Sequence, residues 1–264
     1  LYNDDRRTEV VPDEGEIDLE DLIAEEQMAI TITKTGYVKR IPVATYRQQK
    51  RGGVGVAGME LKEEDEVDHL FITSTHNYLL FFTSVGKVYR LKVHELPLAG
   101  RNAKGKHIVN LLPLRQEEKI CAVINTRNFD VTEGRYLVFG TKLGVVKKTL
   151  FASYNTPRKS DGIIAIDIRE GDELLAVRHT SGDDDVMMVS RLGQAIRFHE
   201  SDVRPMGRSA SGVRGMKLRR GDEVISMDVA RDDSDLFVVT ENGFGKRTPI
   251  SEYRITGRGG IGVR

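Results

Sequence analysis

Leu79-Leu80-Phe81-Phe82, followed by Thr83-Ser84-Val85-Gly86 and then Lys87-Val88-Tyr89-Arg90, is the stretch on which the fold turns. An apolar run enters a short turn ending in glycine, and a second arm bearing cations leaves it. Glycine takes positive φ without steric cost, so the pattern reads as a tight β-hairpin. The same arrangement recurs. Ala29-Ile30-Thr31-Ile32 leads to Thr33…Gly36, Leu137-Val138-Phe139 to Thr141…Gly144, Val186-Met187-Met188-Val189 to Ser190…Gly193, and Leu236-Phe237-Val238-Val239 to Thr240…Gly243. The five glycines are 50, 58, 49 and 50 residues apart.

Other markers keep the same order. Four residues past each glycine stands a basic residue: Arg40, Arg90, Lys148, Arg197 and Arg247. An Arg-x-x-x-Gly follows in every unit: Arg51…Gly55, Arg101…Gly105, Arg158…Gly162, Arg208…Gly212 and Arg258…Gly262. An acid then precedes the next apolar run in Asp65-Glu66-Val67, Glu118-Lys119-Ile120, Asp172-Glu173-Leu174 and Asp222-Glu223-Val224. Helix signal is confined to Leu19–Glu25, with Asp18 as its cap, and to single turns near Ser153 and Ser201. A repeat of about 50 residues built from short strands predicts an all-β chain, a propeller-like disc of four-stranded blades. An open solenoid of β units is the alternative. In each hairpin the arm before the turn is expected in the core and the cationic arm half exposed.

Composition narrows the function classes. The chain has 264 residues, 39% hydrophobic and 30% charged, with one cysteine and no tryptophan. No apolar run is long enough to span a bilayer, and the acidic start is unlike a signal peptide. Cys121, within Ile120-Cys121-Ala122-Val123-Ile124, reads as a small buried hydrophobe in a reducing, cytoplasmic setting. The six histidines lack zinc-ligand spacing, so no metal site is expected. Gly53-Val54-Gly55-Val56-Ala57-Gly58 fits a dinucleotide fingerprint in letters only, because no strand precedes it and no helix follows. The aspartates at 183–185 and around 232 read as solvated turns. Tyr37, Tyr46, Tyr89, Tyr154 and Tyr253 read as rim packing rather than base-stacking platforms.

The balanced total charge hides an asymmetry. Residues 1–30 hold eleven acids against Arg6 and Arg7, whereas the remainder holds 38 basic and 29 acidic side chains. An acidic leader, residues 1–27, thus precedes a basic repeat domain, residues 28–264. A core needs recurring apolar residues and turn glycines, but recurring cations at outer positions need another reason. They could be solvated strand residues, or they could form a ring at one level of the disc. The ring would be a track for a polyanion, suited to bent duplex DNA held by its phosphates. The expected contacts along it are Lys39, Arg40, Arg90, Arg101, Lys104, Lys147, Lys148, Arg158, Lys159, Arg197, Arg208, Lys246, Arg247 and Arg258.

The first loop, Gln49-Lys50-Arg51-Gly52-Gly53-Val54-Gly55, preceded by Tyr46-Arg47-Gln48, resembles the box Gln-basic-Arg-Gly-Gly-basic-Gly that marks the C-terminal domains of DNA gyrase A subunits. Gly257-Arg258-Gly259-Gly260-Ile261-Gly262 looks like a second, degenerate box. Asn3-Asp4-Asp5-Arg6-Arg7-Thr8-Glu9-Val10 resembles the segment where the cleavage core of that family ends. The resemblance implies a six-bladed β-pinwheel, in which strands cross between blades and duplex DNA wraps around the rim to drive negative supercoiling. It implies DNA contact at Gln49, Lys50, Arg51, Gly52, Gly53, Val54 and Gly55. It further implies a non-catalytic domain without cofactor, joined to a cleavage core. With gyrase B this would form an A2B2 holoenzyme that uses ATP and Mg, soluble and nucleoid-associated. Val54 and Ile261 depart from the pattern, which has a basic residue there. Five units are visible where the resemblance implies six, so another repeat is expected beyond Arg264. The related domain of topoisomerase IV, with the same blades but no intact box, and a protein-docking propeller are the rival readings.

Overall fold

A computed structural model describes residues 19–46, 59, 65–129, 135–157 and 159–264. The first repeat contributes β1 (Gln27–Thr33), β2 (Tyr37–Pro42) and β3 (Val67–Ser74). The second contributes β4 (Tyr78–Thr83), β5 (Lys87–Lys92), the two-residue β6 (Lys106–His107) and β7 (Ile120–Thr126). The third has β8 (Tyr136–Thr141), β9 (Val145–Leu150), β10 (Ile163–Ile164) and β11 (Leu174–Thr180). The fourth has β12 (Asp185–Ser190), β13 (Ala195–His199), β14 (Val213–Arg214) and β15 (Val224–Ala230), and the fifth β16 (Asp235–Val239) and β17 (Gly245–Pro249). Helical structure among the described residues is limited to short 3₁₀ turns. The turns expected near Ser153 and Ser201 are Phe151–Tyr154 and Glu200–Asp202, and the expected N-terminal helix is the single turn Leu19–Leu22.

The blades are antiparallel sheets that share strands. The orders are β3-β1-β2-β6, β10-β5-β4-β7 and β11-β8-β9-β14. In each of these sheets the short edge strand comes from the next repeat. The fourth blade receives Val263, which bridges Ala195, instead of a full strand. At the opposite edge, β11 lies against both β7 and β15, so these long strands line the hub. The donated strands therefore mark the rim.

Four of the five hairpin turns are closed by an amide that donates to the turn's own hydroxyl. The amides of Tyr37, Val145, Gln194 and Phe244 donate to Thr33, Thr141, Ser190 and Thr240 at 3.1–3.2 Å. The acid of the later marker then accepts from the hydroxyl or the turn amide: Thr83 donates to Glu118 and Ser190 to Asp222, both at 2.6 Å. All five turn glycines have positive φ, between 80° and 93°. That explains why hydroxyl, glycine and acid recur together.

Burial explains the apolar runs. Successive side chains of a strand face opposite sides. On β4, Leu79 and Phe81 enter the core shared with the first blade, whereas Leu80 and Phe82 enter the core shared with the third, with Phe139, Phe151 and Tyr154. A strand covered on both faces needs no polar alternation. Val138, Met188 and Phe198 fill the next interface, and Met187, Val189 and Ile250 the last. Every core thus lies between consecutive repeats. Tyr89 and Tyr154 are buried in these cores.

Candidate nucleic-acid interface

After its second hairpin strand and a 3₁₀ turn, each of the second to fifth repeats crosses to the preceding blade through the Arg-x-x-x-Gly loop. Glycine is required where the two segments meet. Gly105 has φ 81°, and a Cβ there would lie 2.3 Å from the carbonyl oxygen of Val38. Gly262, also at φ 81°, approaches Ala195 equally closely. The recurring glycine thus serves close approach between blades.

The strand cations are placed differently from the expected track. Lys39, Lys147, Lys148 and Arg197 are all buried. Lys39 Nζ donates to the carbonyls of Gly100, Arg101 and Ala103 at 3.2, 2.6 and 2.7 Å. Lys147 Nζ donates to Ala165 at 2.7 Å and to Arg208. Burial pushes the Lys147 amine down to about 7, with Arg208 adding to the shift and Asp167 opposing it. Desolvation also lowers Lys39. Lys148 donates to the Glu200 carbonyl at 2.8 Å and lies 3.4 Å from its carboxylate. Arg197 pairs with Asp185 and Asp232, each at 2.7 Å, and donates to the Ile250 carbonyl at 3.1 Å. Arg40 donates to Leu96 at 2.7 Å, and Arg90 stacks over Tyr78 and Phe129 at 5.0 and 5.4 Å.

The position four residues past the turn glycine therefore has a folding role. Arg40, Lys148 and Arg197 each reach the 3₁₀ turn of the next repeat with the side chain. Their backbones bridge Leu98, Pro205 and Ile255 just beyond it. These cations latch blade to blade, with Lys148 and Arg197 buried and Arg40 half-buried. The cationic arm is correspondingly more buried than expected, because the neighbouring repeat covers it.

Cations remain accessible on the crossing loops and on β17. Lys159, Lys246, Arg247 and Arg258 are exposed, and Arg101, Lys104 and Arg208 are half-exposed. Arg258 is held by the carbonyls of Asp202 and Arg214 at 2.8 and 3.0 Å. Arg247 pairs with Asp235 at 3.2 Å. The loops also carry exposed Arg204, Arg254 and Arg264, and the edge strands β6 and β14 carry exposed Lys106 and Arg214, none of which was among the expected contacts. Four of them do keep a fixed offset: Arg204 and Arg254 lie 11 residues, and Arg214 and Arg264 21 residues, past the turn glycines Gly193 and Gly243. Gln49–Gly55 and Arg158 lie outside the described residues, as does the dinucleotide-like string at 53–58.

The model of the DNA gyrase C-terminal domain, beta-propeller, matches residues 27–74, 77–126, 135–181, 184–231 and 234–264. The chain belongs to the DNA gyrase C-terminal domain family. It is 53% identical over 209 residues to the DNA gyrase A protein of Clostridium acetobutylicum, covering 79% of this chain and 25% of that protein. To the DNA gyrase A protein of Streptomyces coelicolor it is 48% identical over 217 residues, covering 80% and 25%. The chain thus spans about a quarter of the length of these curated relatives. The C-terminal domain of DNA topoisomerase IV superposes with a TM-score of 0.79 at 31% identity, covering 91% of this chain and 73% of that one. A DNA gyrase A C-terminal domain gives 0.69 at 29% identity, covering 90% and 76%.

For a gyrase C-terminal domain, the remaining polar clusters are structural. Asp184 caps its own turn by accepting from Ser181, and Asp185 and Asp232 serve Arg197. No group of side chains suited to a metal occurs among the described residues. The Cys121 thiol donates to Phe82 O at 3.3 Å, and burial pushes it up to about 12, which disfavours the thiolate. No described helix is long and apolar enough to cross a membrane.

Proposed function

We propose that this chain binds and bends duplex DNA around its rim, as the DNA-wrapping domain of a gyrase A protein. The observation that carries the reading is the recurrence of exposed or half-exposed cations on the crossing loops of successive repeats: Arg101 and Lys104, Lys159, Arg208, and Arg258. Cations repeated blade by blade along a curved edge meet the phosphates of a bent duplex without reading bases. By its resemblance to the family's box, Gln49–Gly55 adds DNA contacts from the first repeat. The domain carries no chemistry of its own. In the parent protein it supplies the DNA path, while a cleavage core upstream and gyrase B, with ATP and Mg, perform strand passage that introduces negative supercoils.

Duplex affinity measured between about 50 and 200 mM salt tests this reading. A steep log–log dependence, equal for unrelated sequences and flattened when Arg101, Lys104 and Arg208 are replaced by alanine, is expected. Affinity that ignores salt, or follows one sequence, would point to protein docking or base readout instead.

A further inference from the structure

The buried lysines three residues past the turn glycine have no counterpart in every repeat. Lys39 and Lys147 occupy the position, but Tyr89 and Ile196 fill it in the second and fourth repeats. There the incoming loop rests on apolar surface: a Cβ on Gly162 would meet the Tyr89 ring at 2.9 Å, and one on Gly260 the Ile196 methyl at 3.5 Å. Folding a blade therefore does not require the lysine, and burying one is costly. Where it occurs, its head group is spent on carbonyls of the loop that the next repeat lays across the rim.

We propose that Lys39 and Lys147 are positioning residues for the anion-binding loops at Arg101–Gly105 and Arg208–Gly212, an inference that rests on reading the rim as a phosphate surface. In a trans peptide, the amide N–H points opposite to the carbonyl it is bonded through. Three carbonyls, those of Gly100, Arg101 and Ala103, converge on the Lys39 ammonium. The linked N–H groups of Arg101, Asn102 and Lys104 accordingly turn away from the buried lysine, toward the side where Asn102 and Ala103 are exposed. Outward N–H groups in a turn form a concave anion site, and Arg101 and Lys104 add charge beside it. At the second loop, Lys147 draws the Arg208 carbonyl inward, which turns the Ser209 N–H outward beside the Arg208 guanidinium. The lysine shapes the site without touching the anion.

Double-mutant cycles on duplex binding by the 264-residue chain test this. Arg101→Ala alone should flatten the log K against log salt slope by about 0.9, one phosphate contact. Lys39→Met should flatten it similarly, and the double variant should lose no more than either single one. Lys147→Met should couple in the same way to Arg208→Ala but act additively with Arg101→Ala. An unchanged slope in Lys39→Met, or additivity with Arg101→Ala, would overturn the proposal. If Arg101→Ala and Arg208→Ala leave binding unaltered, the rim reading itself fails. Should Lys39→Met not fold, Lys39→Gln, which keeps two N–H donors, is put through the same cycle, and a slope equal to wild type with faster exchange of the Asn102 amide would also overturn it.

Discussion

Replacing Arg197 with leucine separates a blade latch from a DNA contact. The side chain is 6% exposed, and its partner Asp185 is only 10% exposed, so the variant strands a carboxylate at a nearly dry interface. Breaking a buried pair from one side costs about 3–5 kcal/mol. Asp232 is 73% exposed and adds little, because water takes over its solvation. The lost hydrogen bond to Ile250 O is partly offset by leucine packing, so a destabilisation of about 3 kcal/mol is expected. For a chain of this size that lowers Tm by roughly 6–12 °C. The loss should be local. Repeat proteins are stabilised interface by interface, so amide exchange should accelerate at Tyr253 and Thr256, whose N–H groups bond across or near this junction. At 15 °C, where the fold is intact, duplex affinity and its salt slope should stay close to wild type. An unchanged Tm with a slope flattened by about 0.9 would refute the latch and restore Arg197 to the phosphate track.

Lys147 gives a pH signature: its folded value of about 7 lies below the usual lysine value of 10.5, so the native state binds fewer protons between them. Stability should therefore rise with pH across that window, and Lys147→Met should abolish the rise in denaturant titrations. Gly105→Ala forces a Cβ within 2.3 Å of Val38 O at positive φ and should cost about 2 kcal/mol or more, whereas Gly193→Ala, with open space around its Cβ, should cost only the backbone term of about 1 kcal/mol. Thermal unfolding of the two variants compares them. Alanine substitution of Gln49–Gly55 in the reconstituted holoenzyme should abolish supercoiling while DNA cleavage and relaxation persist; equal loss of cleavage would assign the loop to folding or assembly.

Much of the architecture was legible because hairpin turns leave a signature: a hydroxyl, a positive-φ glycine and a capping acid at fixed spacing. Strand donation left none of its own. Lys106-His107, Ile163-Ile164 and Val213-Arg214 are too short to show periodicity, and only tertiary pairing makes them strands. These donated strands are what cover the cationic arms. With the outer strand absent, Lys39-Arg40 and Lys147-Lys148 look like the open side of a hairpin. A physical clue was nevertheless present: neighbouring residues on a strand face opposite sides, so both members of each pair could not have lined one surface. The loop cations Arg101, Lys104, Lys159, Arg208 and Arg258 do lie at the surface or half-exposed, since loops with this density of Gly and charge have no apolar face to bury.

Wrapping around the rim is tested most directly by ligating nicked circular DNA in the presence of the chain and counting the linking-number change. Wild type should shift the topoisomer distribution in proportion to bound protein, and the Arg101→Ala, Arg208→Ala, Arg258→Ala variant should shift it far less at equal occupancy. A distribution identical to protein-free ligation, under conditions where the circles are demonstrably bound, would contradict the account.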